Sequence, residues 1–329
     1  MIFDQILFHN VEELEPCENG YLMWRVPKTV RQTLNEFARD TTSRFTTGVE
    51  LRFKLKSDSA DLILFSEVGA AASVAYIWYG SIQGGWENSS RMILNQNTRI
   101  HIEKPQNLDL LKKISKENHL PFNPEVVRVI LPSGHIHYVG IEGDIEPPEK
   151  EDLPEKTYLA YGSSITHGSL ALAMPYTYPF RLAQKLGCDY INLGFSGSAK
   201  MEESMAQYIT SRKDWDFATV EMGINALDMS SQLFEERIDR FTEILAQDKR
   251  PVYATNIYGY TTPDQTVAKN FRRIVEKYAK ARLHFADGLD FLSNDTYISQ
   301  DMVHPSLEGM EKIVEHWYSI LGESFKNSI

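Results

Sequence analysis

The sequence predicts a chain of two parts: an all-β sandwich or jelly roll, followed by an α/β domain built on a parallel sheet. Apolar residues recur with period two before about residue 146, residues 146–156 are charged and rich in proline, and apolar runs alternate with helical patterns afterwards. Period two is typical of half-buried strands, whereas alternating strand and helix patterns favour a parallel sheet covered by helices. The predicted domains are therefore residues 1–148 and 157–329, joined by a linker at residues 149–156.

The first part shows its strand pattern most clearly at residues 49–56, where apolar and charged side chains alternate. This alternation predicts a half-buried strand. Turn residues separate it from further patterns of the same kind, which completes a sandwich or jelly-roll signature. The other predicted strands cover residues 61–65, 73–78, 99–103, 126–131 and 135–143, and a short helix is predicted at residues 108–118.

The joint between the two parts runs from Glu146 to Lys156 and has no apolar face. It contains Pro147, Pro148 and Pro154 among charged residues. Because proline fixes φ and lacks a backbone donor, this stretch fits an exposed linker better than a helix or a strand.

The second part alternates buried-strand and helix patterns. If its strands follow the flavodoxin-like order 2-1-3-4-5, the result is a three-layer α/β/α domain. The predicted strands cover residues 158–161, 190–193, 217–222, 252–257 and 284–286, and the predicted helices cover residues 179–186, 201–212, 232–247, 265–281 and 307–321.

Composition argues against two classes of partner. The chain has 329 residues and a formal net charge of -11, without a long run of Lys and Arg, so neither nucleic acid nor a membrane surface is expected to bind it. The segment Met1–Gln5 lacks a signal-peptide pattern, and no apolar stretch is long enough to span a bilayer, so a cytoplasmic location is expected. The thiols of Cys17 and Cys188 are expected to be reduced.

Four short stretches each follow a predicted strand and carry side chains suited to acyl transfer. In a parallel sheet of the predicted order, the loops after the first three strands meet at one edge, and a long loop can bring the last stretch there. The stretches are Gly162–Thr166, Gly194–Gly197, Gly223–Asn225 and Asp301–His304.

The roles follow from the chemistry of the side chains. Ser164 is the predicted nucleophile, His304 its general base and Asp301 the carboxylate that orients the imidazole. The backbone N–H groups of Ser164 and Gly197 and the side-chain amide of Asn225 are the predicted oxyanion hole. Thr166 stands where a G-x-S-x-G nucleophile elbow has its last glycine, which disfavours an ordinary α/β-hydrolase.

Together these stretches resemble the four blocks of the SGNH (GDSL) hydrolase superfamily, over about residues 158–316. The resemblance implies that Ser164, Gly197, Asn225 and His304 are the four signature residues. The preceding β-domain and the block Tyr161–Gly168 are similar to two-domain bacterial members, mostly carbohydrate esterases and acetylesterases together with an acyltransferase. The chain departs from the family in having Ser163 where the name motif has Asp and Ala226 where many members have Asp.

Several weaker features have two interpretations each. Ser163 is an alternative nucleophile, and His167 either touches substrate or makes a local hydrogen bond. His135 and His137 have the strand spacing of a metal pair, but we expect solvated or packed rings because the sequence shows no cysteine or carboxylate cluster nearby. Aromatic residues either stack on sugars or line cores and helix contacts. They are Tyr76, Trp78, Tyr79, Trp86, Tyr176 and Tyr178.

The sequence thus leads to a serine esterase that hydrolyses short acyl esters, acetyl first among them, of a carbohydrate or similar polyol. Two alternatives stay open: an acyltransferase with the same Ser-His-Asp site, and a glycan-binding or oligomerisation module with an inactive hydrolase domain. The expected partner is a small-molecule or carbohydrate ester, and neither a cofactor nor a metal is expected. The oligomeric state is open, with a homo-oligomer as one alternative.

Overall fold

The computed structural model describes residues 1–67 and 73–326. The chain forms two compact units, of which unit 1 comprises Met1–Pro27, Ser43–Glu155 and Gly187–Asp189. Unit 2 comprises Lys28–Thr42, Lys156–Leu186 and Tyr190–Ile329. The predicted boundary is therefore wrong for residues 28–42, which were assigned to the first domain. Sequence patterns missed this because the contacts that hold the segment in unit 2 reach more than 150 positions along the chain.

The strands of unit 1 form two antiparallel sheets. One has the order β1-β2-β5-β11-β7-β8, with β13 beside β5 and β9 beside β7, and the other has the order β10-β6-β12-β4-β3, in the numbering that follows. The strands are β1 (Ile2–Phe3), β2 (Ile6–His9), β3 (Glu13–Cys17), β4 (Gly20–Trp24), β5 (Glu50–Leu55), β6 (Ser59–Ser66), β7 (Val74–Tyr79), β8 (Ile82–Gln83), β9 (Ser90–Met92), β10 (Thr98–Glu103), β11 (Val126–Ile130), β12 (Ile136–Glu142) and β13 (Ile145–Glu146).

The two sheets of unit 1 share one hydrophobic core. Phe8 and Phe53 from one sheet pack in the same cluster as Leu64, Ile100 and Tyr138 from the other, and all five are buried. Two sheets that bury one face each against a common core form a sandwich. The fold-class prediction for the first part is confirmed.

Strand β5 is not the half-buried strand that its alternation predicts. Glu50 and Arg52 are fully buried, and Arg52 donates to Glu50 Oε2 at 2.8 Å. Arg128 on β11 binds both oxygens of the Glu50 carboxylate, Oε2 at 2.8 Å and Oε1 at 2.7 Å. The two guanidinium groups also lie over the ring of Phe122, which covers this face. Alternation shows that two faces differ in polarity, but it cannot show that ion pairing has allowed the polar face to be buried.

The predicted exposed linker is part of unit 1. Residues Lys150–Asp152 form one 3-10 turn, and Asp152 is buried. Its carboxylate accepts hydrogen bonds from Asn123 at 2.7 Å and pairs with Lys54 at 2.9 Å. Prolines exclude a helix or a strand here, but they do not prevent the stretch from packing against its own domain.

Unit 2 contains a sheet with the order β15-β14-β16-β17-β18, which is the flavodoxin-like order 2-1-3-4-5. The pairs β14/β16, β16/β17 and β17/β18 are parallel. This confirms the predicted α/β domain. The strands are β14 (Thr157–Gly162), β15 (Asp189–Gly194), β16 (Phe217–Glu221), β17 (Val252–Thr255) and β18 (His284–Ala286).

The helices of unit 2 pack as two groups, one made of α5 and α9 and the other of α6, α7 and α8, as a sheet between helical layers requires. Within residues 1–67 and 73–326, no helix combines the length and the apolar character that crossing a bilayer requires. The helices are α1 (Lys28–Arg31), α2 (Glu36–Asp40), α3 (Leu108–Glu117, in unit 1), α4 (Ser164–His167), α5 (Tyr178–Leu186), α6 (Glu203–Ser211), α7 (Ser231–Leu245), α8 (Thr266–Arg282) and α9 (Leu307–Lys326).

Candidate active site

Three of the predicted site residues form one continuous chain of hydrogen bonds. The Ser164 Oγ lies 2.8 Å from His304 Nε2, and His304 Nδ1 lies 2.5 Å from Asp301 Oδ2. Ser164 is the first residue of α4, directly after β14, whereas Asp301 and His304 lie in the loop before α9. A hydroxyl, an imidazole and a carboxylate in this order can form and resolve an acyl-enzyme.

The loop that carries His304 also holds Asp301 in its charged form. The Asp301 Oδ1 accepts hydrogen bonds from Ser299 Oγ at 3.0 Å, Val303 N at 3.0 Å and His304 N at 2.9 Å. Partial burial alone would raise the pKa of Asp301, but the hydrogen bonds from His304, Val303 and Ser299 hold it well below its usual range. A charged Asp301 fixes the tautomer of His304 that leaves Nε2 free to accept the proton of Ser164.

The turn between β14 and α4 leaves no room for a larger residue at its start. A Cβ on Gly162 would lie 2.2 Å from Thr166 Oγ1 and 2.7 Å from Glu221 Oε2. Gly168 ends α4 with φ at 92°, a left-handed conformation that favours glycine. The sequence therefore needs glycine on both sides of the short helix that presents Ser164.

Ser163 is not placed as a nucleophile. It is buried, its Oγ donates to Glu221 Oε2 at 2.7 Å, and the same Oγ accepts a hydrogen bond from Ile165 N at 3.2 Å. It thus caps the N-terminus of α4. The imidazole of His304 pairs with Ser164 instead.

Glu221, the last residue of β16, is a part of the site that sequence reasoning missed. Its carboxylate is buried behind the turn, and burial raises its pKa, while hydrogen bonds from Ser163 and Thr166 act in the opposite direction. The signal in the sequence was one acidic residue at the end of the apolar run from Phe217 to Met222. A charge in that place needs a reason, because central parallel strands are usually apolar.

Two of the three predicted oxyanion donors, Gly197 and Asn225, lie on the loops after β15 and β16, the two neighbours of β14, and the third, Ser164, begins α4 directly after β14. Gly197 has φ at 68°, in the left-handed region. The Asn225 Oδ1 accepts a hydrogen bond from Ala199 N at 3.2 Å, which ties the two loops together and leaves the amide N–H groups of Asn225 to donate elsewhere. The arrangement is suited to an oxyanion hole.

Residues 28–42 form hydrogen bonds with the Gly197 loop, and the sequence analysis did not predict this contact. The Asn35 Nδ2 donates to Ser198 O at 2.9 Å and to Glu202 Oε1 at 2.7 Å. Thr42 Oγ1 lies 2.7 Å from Ser198 Oγ. Asn35 also caps α2, because its Oδ1 accepts a hydrogen bond from Ala38 N at 3.1 Å.

A cavity of about 630 Å³ borders the loop of the triad. Its lining includes Thr261, Thr262, Gln265 and Lys269. Thr261 N donates to Met302 O at 2.9 Å, so one wall of the cavity is joined to the segment between Asp301 and His304. The lining combines polar and charged side chains with apolar surface, which is suited to a molecule that has hydroxyl groups on an apolar frame.

His167 and the tyrosines near α5 are mostly structural. The buried His167 places Nδ1 3.1 Å from Gly194 O. Tyr178 is buried with its hydroxyl 2.8 Å from Thr166 Oγ1, whereas Tyr176 is exposed. His167 therefore matches the local hydrogen-bond interpretation rather than substrate contact.

A carboxylate and a cysteine, which the sequence did not place near His135 and His137, lie beside their rings. Glu67 lies between them, 3.1 Å from His135 Nδ1 and 2.9 Å from His137 Nε2, and Cys17 Sγ lies 3.3 Å from His137 Nδ1. Arg44 also pairs with Glu67. Among the described residues, no group of three or more His, Cys, Asp or Glu side chains could hold a metal ion.

The aromatic residues of unit 1 divide by burial. Trp78 and Tyr79 are buried, as core residues are, whereas Trp86 is 99% exposed. The first two therefore cannot stack on a sugar, and Trp86 is the one of these three that could.

Comparison with known proteins gives a family for the second part of the chain. Residues 160–312 match the family described as GDSL-like Lipase/Acylhydrolase. No curated protein sequence matches the chain significantly. The family match confirms the resemblance drawn from the four sequence blocks.

Solved structures of similar fold cover both units. A salicylyl-acyltransferase, SsfX3, from a tetracycline biosynthetic pathway is 16% identical with a TM-score of 0.77, over 97% of this chain and 95% of that one. A GDSL-like lipase candidate from Bacteroides ovatus is 19% identical with a TM-score of 0.69, over 98% of each chain. A family two carbohydrate esterase from Cellvibrio japonicus is 11% identical with a TM-score of 0.61, over 98% of this chain and 96% of that one. At these identities the likeness establishes a shared fold.

Proposed function

We propose, from the match of residues 160–312 to the GDSL-like lipase/acylhydrolase family, that the chain is a cofactor-independent serine esterase that removes short acyl groups, acetyl first among them, from a carbohydrate or similar polyol. The observation that carries the proposal is the continuous path from Ser164 Oγ through the His304 ring to the Asp301 carboxylate. Each of the three groups is in the position that acyl transfer needs.

In the first half-reaction, His304 Nε2 takes the proton of Ser164 as its Oγ forms a bond to the ester carbonyl carbon. The negative charge on the carbonyl oxygen is stabilised by the backbone N–H groups of Ser164 and Gly197 and by the side-chain amide of Asn225. His304 then gives its proton to the departing alcohol, and the C–O bond of the ester breaks. Asp301 stabilises the imidazolium that exists between the two proton transfers.

In the second half-reaction, water attacks the acyl-enzyme and gives a proton to His304, which returns it to Ser164 as the carboxylic acid leaves. The exposure of the triad supports water as the acceptor, because the side chains of His304 and Asp301 are 23% and 38% exposed. Access of water to an acyl-enzyme favours hydrolysis over transfer.

The cavity beside the triad loop supports a hydroxylated alcohol part of the ester. Its lining includes the polar side chains of Thr262 and Lys269 beside apolar surface, a mixture that suits a sugar ring with its hydroxyl groups. Two solved structures that share the fold are family two carbohydrate esterases, one of them in complex with cellohexaose. A short acyl group on a sugar is the substrate class that we propose.

The test is hydrolysis of aryl acetate, butyrate and octanoate esters and of acetylated sugars by the wild type and by Ser164→Ala. We expect the acetate to be cleaved fastest and the variant to lose at least about 10⁴-fold in kcat. Ser169→Ala is the matched control, since Ser169 lies just after α4 and its hydroxyl contacts Ser196 rather than His304. Equal rates for the wild type and Ser164→Ala would refute the assignment of the nucleophile.

The second candidate is an acyltransferase, which would form the same acyl-enzyme and pass it to another alcohol. It is supported by the salicylyl-acyltransferase that shares the fold over both units. Product analysis with increasing concentrations of polyol separates the two functions. Hydrolysis that stays complete at high polyol concentration excludes the acyltransferase.

The third candidate, a glycan-binding or oligomerisation module with an inactive hydrolase domain, rests on the exposed Trp86 alone. Labelling with an organophosphonate followed by mass spectrometry tests it. An adduct on Ser164 rules out an inactive site, whereas an unlabelled Ser164 would favour this candidate over the esterase.

A further inference from the structure

One carboxylate oxygen of Glu221 accepts hydrogen bonds from residues on both sides of Ser164, in the turn between β14 and α4 (the nucleophile turn). Glu221 Oε2 accepts hydrogen bonds from Ser163 N at 2.8 Å, Ser163 Oγ at 2.7 Å and Thr166 Oγ1 at 3.1 Å. These partners lie on both sides of Ser164, one residue before it and two after it. One side chain on β16 therefore fixes both ends of the first turn of α4.

Neutral hydrogen-bond donors hold the carboxylate of Glu221. It is buried, its Oε1 has no hydrogen-bond partner among the described residues, and no Lys or Arg side chain in the described part of the chain pairs with it. A buried carboxylate without a cation costs free energy, because the charge loses its hydration. A buried carboxylate of this kind beside a nucleophile is a candidate for a role in the site.

We propose that Glu221 is a positioning residue of the esterase site, which sets the orientation of the Ser164 hydroxyl and backbone N–H by holding Ser163 and Thr166. The inference rests on the proposed function, because it concerns the same acyl transfer. Glu221 supports the triad from outside it and touches neither substrate nor the reacting atoms. It acts through the hydrogen bonds that it accepts from the neighbours of Ser164.

Ser163 passes the constraint to Ser164. Its hydroxyl donates its proton to Glu221 and accepts the N–H of Ile165, so the cap of α4 is itself held by a charged acceptor. Hydrogen bonds to a charged group are about twice as strong as neutral ones. Gly162 allows the approach, because a Cβ there would meet Glu221 Oε2.

The departure from the family motif has an explanation in this arrangement. Ser163 stands where the SGNH name motif has Asp, and an Asp at 163 would place a second carboxylate within hydrogen-bond distance of Glu221. Two buried carboxylates so close cannot both stay ionised. In this chain the carboxylate is that of Glu221 on β16, and its hydroxyl partner is Ser163 in the loop.

The first test is Glu221→Gln, which keeps shape and one acceptor oxygen but removes the charge. We expect kcat for an aryl acetate to fall about tenfold, with KM changed less than about twofold, since the hydrogen bonds weaken at the nucleophile but not at the substrate. The rate of phosphonate labelling of Ser164 should fall in parallel. Glu221→Asp, which restores the charge at shorter reach, should recover part of the loss.

Thr219→Val is the matched control for damage to β16. Thr219 lies two residues before Glu221 on the same face, is buried, and hydrogen-bonds Tyr158 rather than the nucleophile turn. We expect it to lower the unfolding temperature and to leave kcat and the labelling rate unchanged. A fall in kcat for Thr219→Val as large as that for Glu221→Gln would overturn the proposal.

The sharper test exchanges the two positions. Ser163→Asp alone should lower kcat about a hundredfold at pH 8 by like-charge repulsion, and the double variant Ser163→Asp with Glu221→Gln should recover at least about tenfold of that loss. Additive losses would overturn the proposal, and so would kcat within twofold of the wild type for Glu221→Gln. A wild type without esterase activity that still labels at Ser164 refutes the proposed function alone, because labelling rates then still measure the effect of Glu221.

Discussion

Two buried glutamates, one in each unit, differ in the groups that surround their carboxylates: guanidinium groups in unit 1 and neutral hydrogen-bond donors in unit 2. Glu50 in unit 1 is fully buried between two guanidinium groups, those of Arg52 and Arg128. Burial alone would raise the pKa of Glu50, but the charges of Arg128 and Arg52 lower it to about 2. Glu221 in unit 2 has hydroxyl and amide donors and, within the described part of the chain, no guanidinium partner, and burial raises its pKa.

The difference distinguishes a structural charge from a functional one. In unit 1 the charges compensate each other and tie β5 to β11, so their worth is measured by unfolding. In unit 2 the carboxylate carries a cost that the fold does not recover, so its worth is measured by turnover. Glu to Gln should therefore lower the stability and leave kcat unchanged at position 50, whereas it should lower kcat and leave the stability nearly unchanged at position 221.

The largest effect is expected at a third carboxylate, Asp301, which sharpens the comparison because it lies in the triad itself. Asp301→Asn should lower kcat by about 10⁴-fold, since an amide at this position favours the wrong tautomer of His304. Esterase kinetics with thermal unfolding as a check measure this. Asp295→Asn, in the same loop region and bonded to Thr261, is the control, and similar losses for both would argue against the triad.

Glu50→Gln is expected to destabilise the chain by about 3–5 kcal/mol, because it removes the buried carboxylate that the guanidinium groups of Arg52 and Arg128 share, although Arg52 keeps its pair with Asp189. The kcat of the folded fraction should stay unchanged. Urea unfolding followed by fluorescence measures the loss. Glu142→Gln, at a surface glutamate that pairs with Arg99, should leave the unfolding midpoint unchanged, and a comparable shift there would break the distinction.

Acid should separate the wild type from Glu50→Gln. The folded pKa of Glu50, about 2, lies below the value of about 4.3 in the unfolded chain, so its stabilisation is present above pH 4.3 and is lost as pH falls towards 2. Over that window the wild type should lose about 3 kcal/mol more than the variant. Urea midpoints at pH 5, 4 and 3 test this, and parallel curves would show that Glu50 is not the titrating group.

The smallest effect is expected for the stability of Glu221→Gln. Because the folded pKa of Glu221 is raised, ionisation costs stability as pH rises above the unfolded value, and Gln escapes that cost. The variant should unfold within about 1 kcal/mol of the wild type at pH 8, with its relative stability falling as the pH is lowered. A loss as large as that of Glu50→Gln would show that both glutamates are structural.

The fold class and the approach of Ser164 to His304 could be predicted because both follow from order along the chain. Strand and helix periods indicate a parallel sheet, and the carboxyl ends of its central strands must meet at one edge. The buried Glu50 cluster could not be predicted, since a charged residue in an alternating strand looks the same whether water or Arg128 faces it. Glu221 was missed because its partners, Ser163 and Thr166, are ordinary turn residues until the structure brings them together.

The position of residues 28–42 has a consequence for how the chain is made. Asn35 and Thr42 emerge from the ribosome more than 150 residues before Ser198, the residue that both of them contact. The contacts of Asn35 and Thr42 with the Gly197 loop can therefore form only after Ser198 has been synthesised. A fragment that begins at the joint would contain Ser164, Asp301 and His304 but would lack residues 28–42, which contact the Gly197 loop. Unit 2 is therefore encoded by separate stretches of the sequence rather than by one continuous stretch.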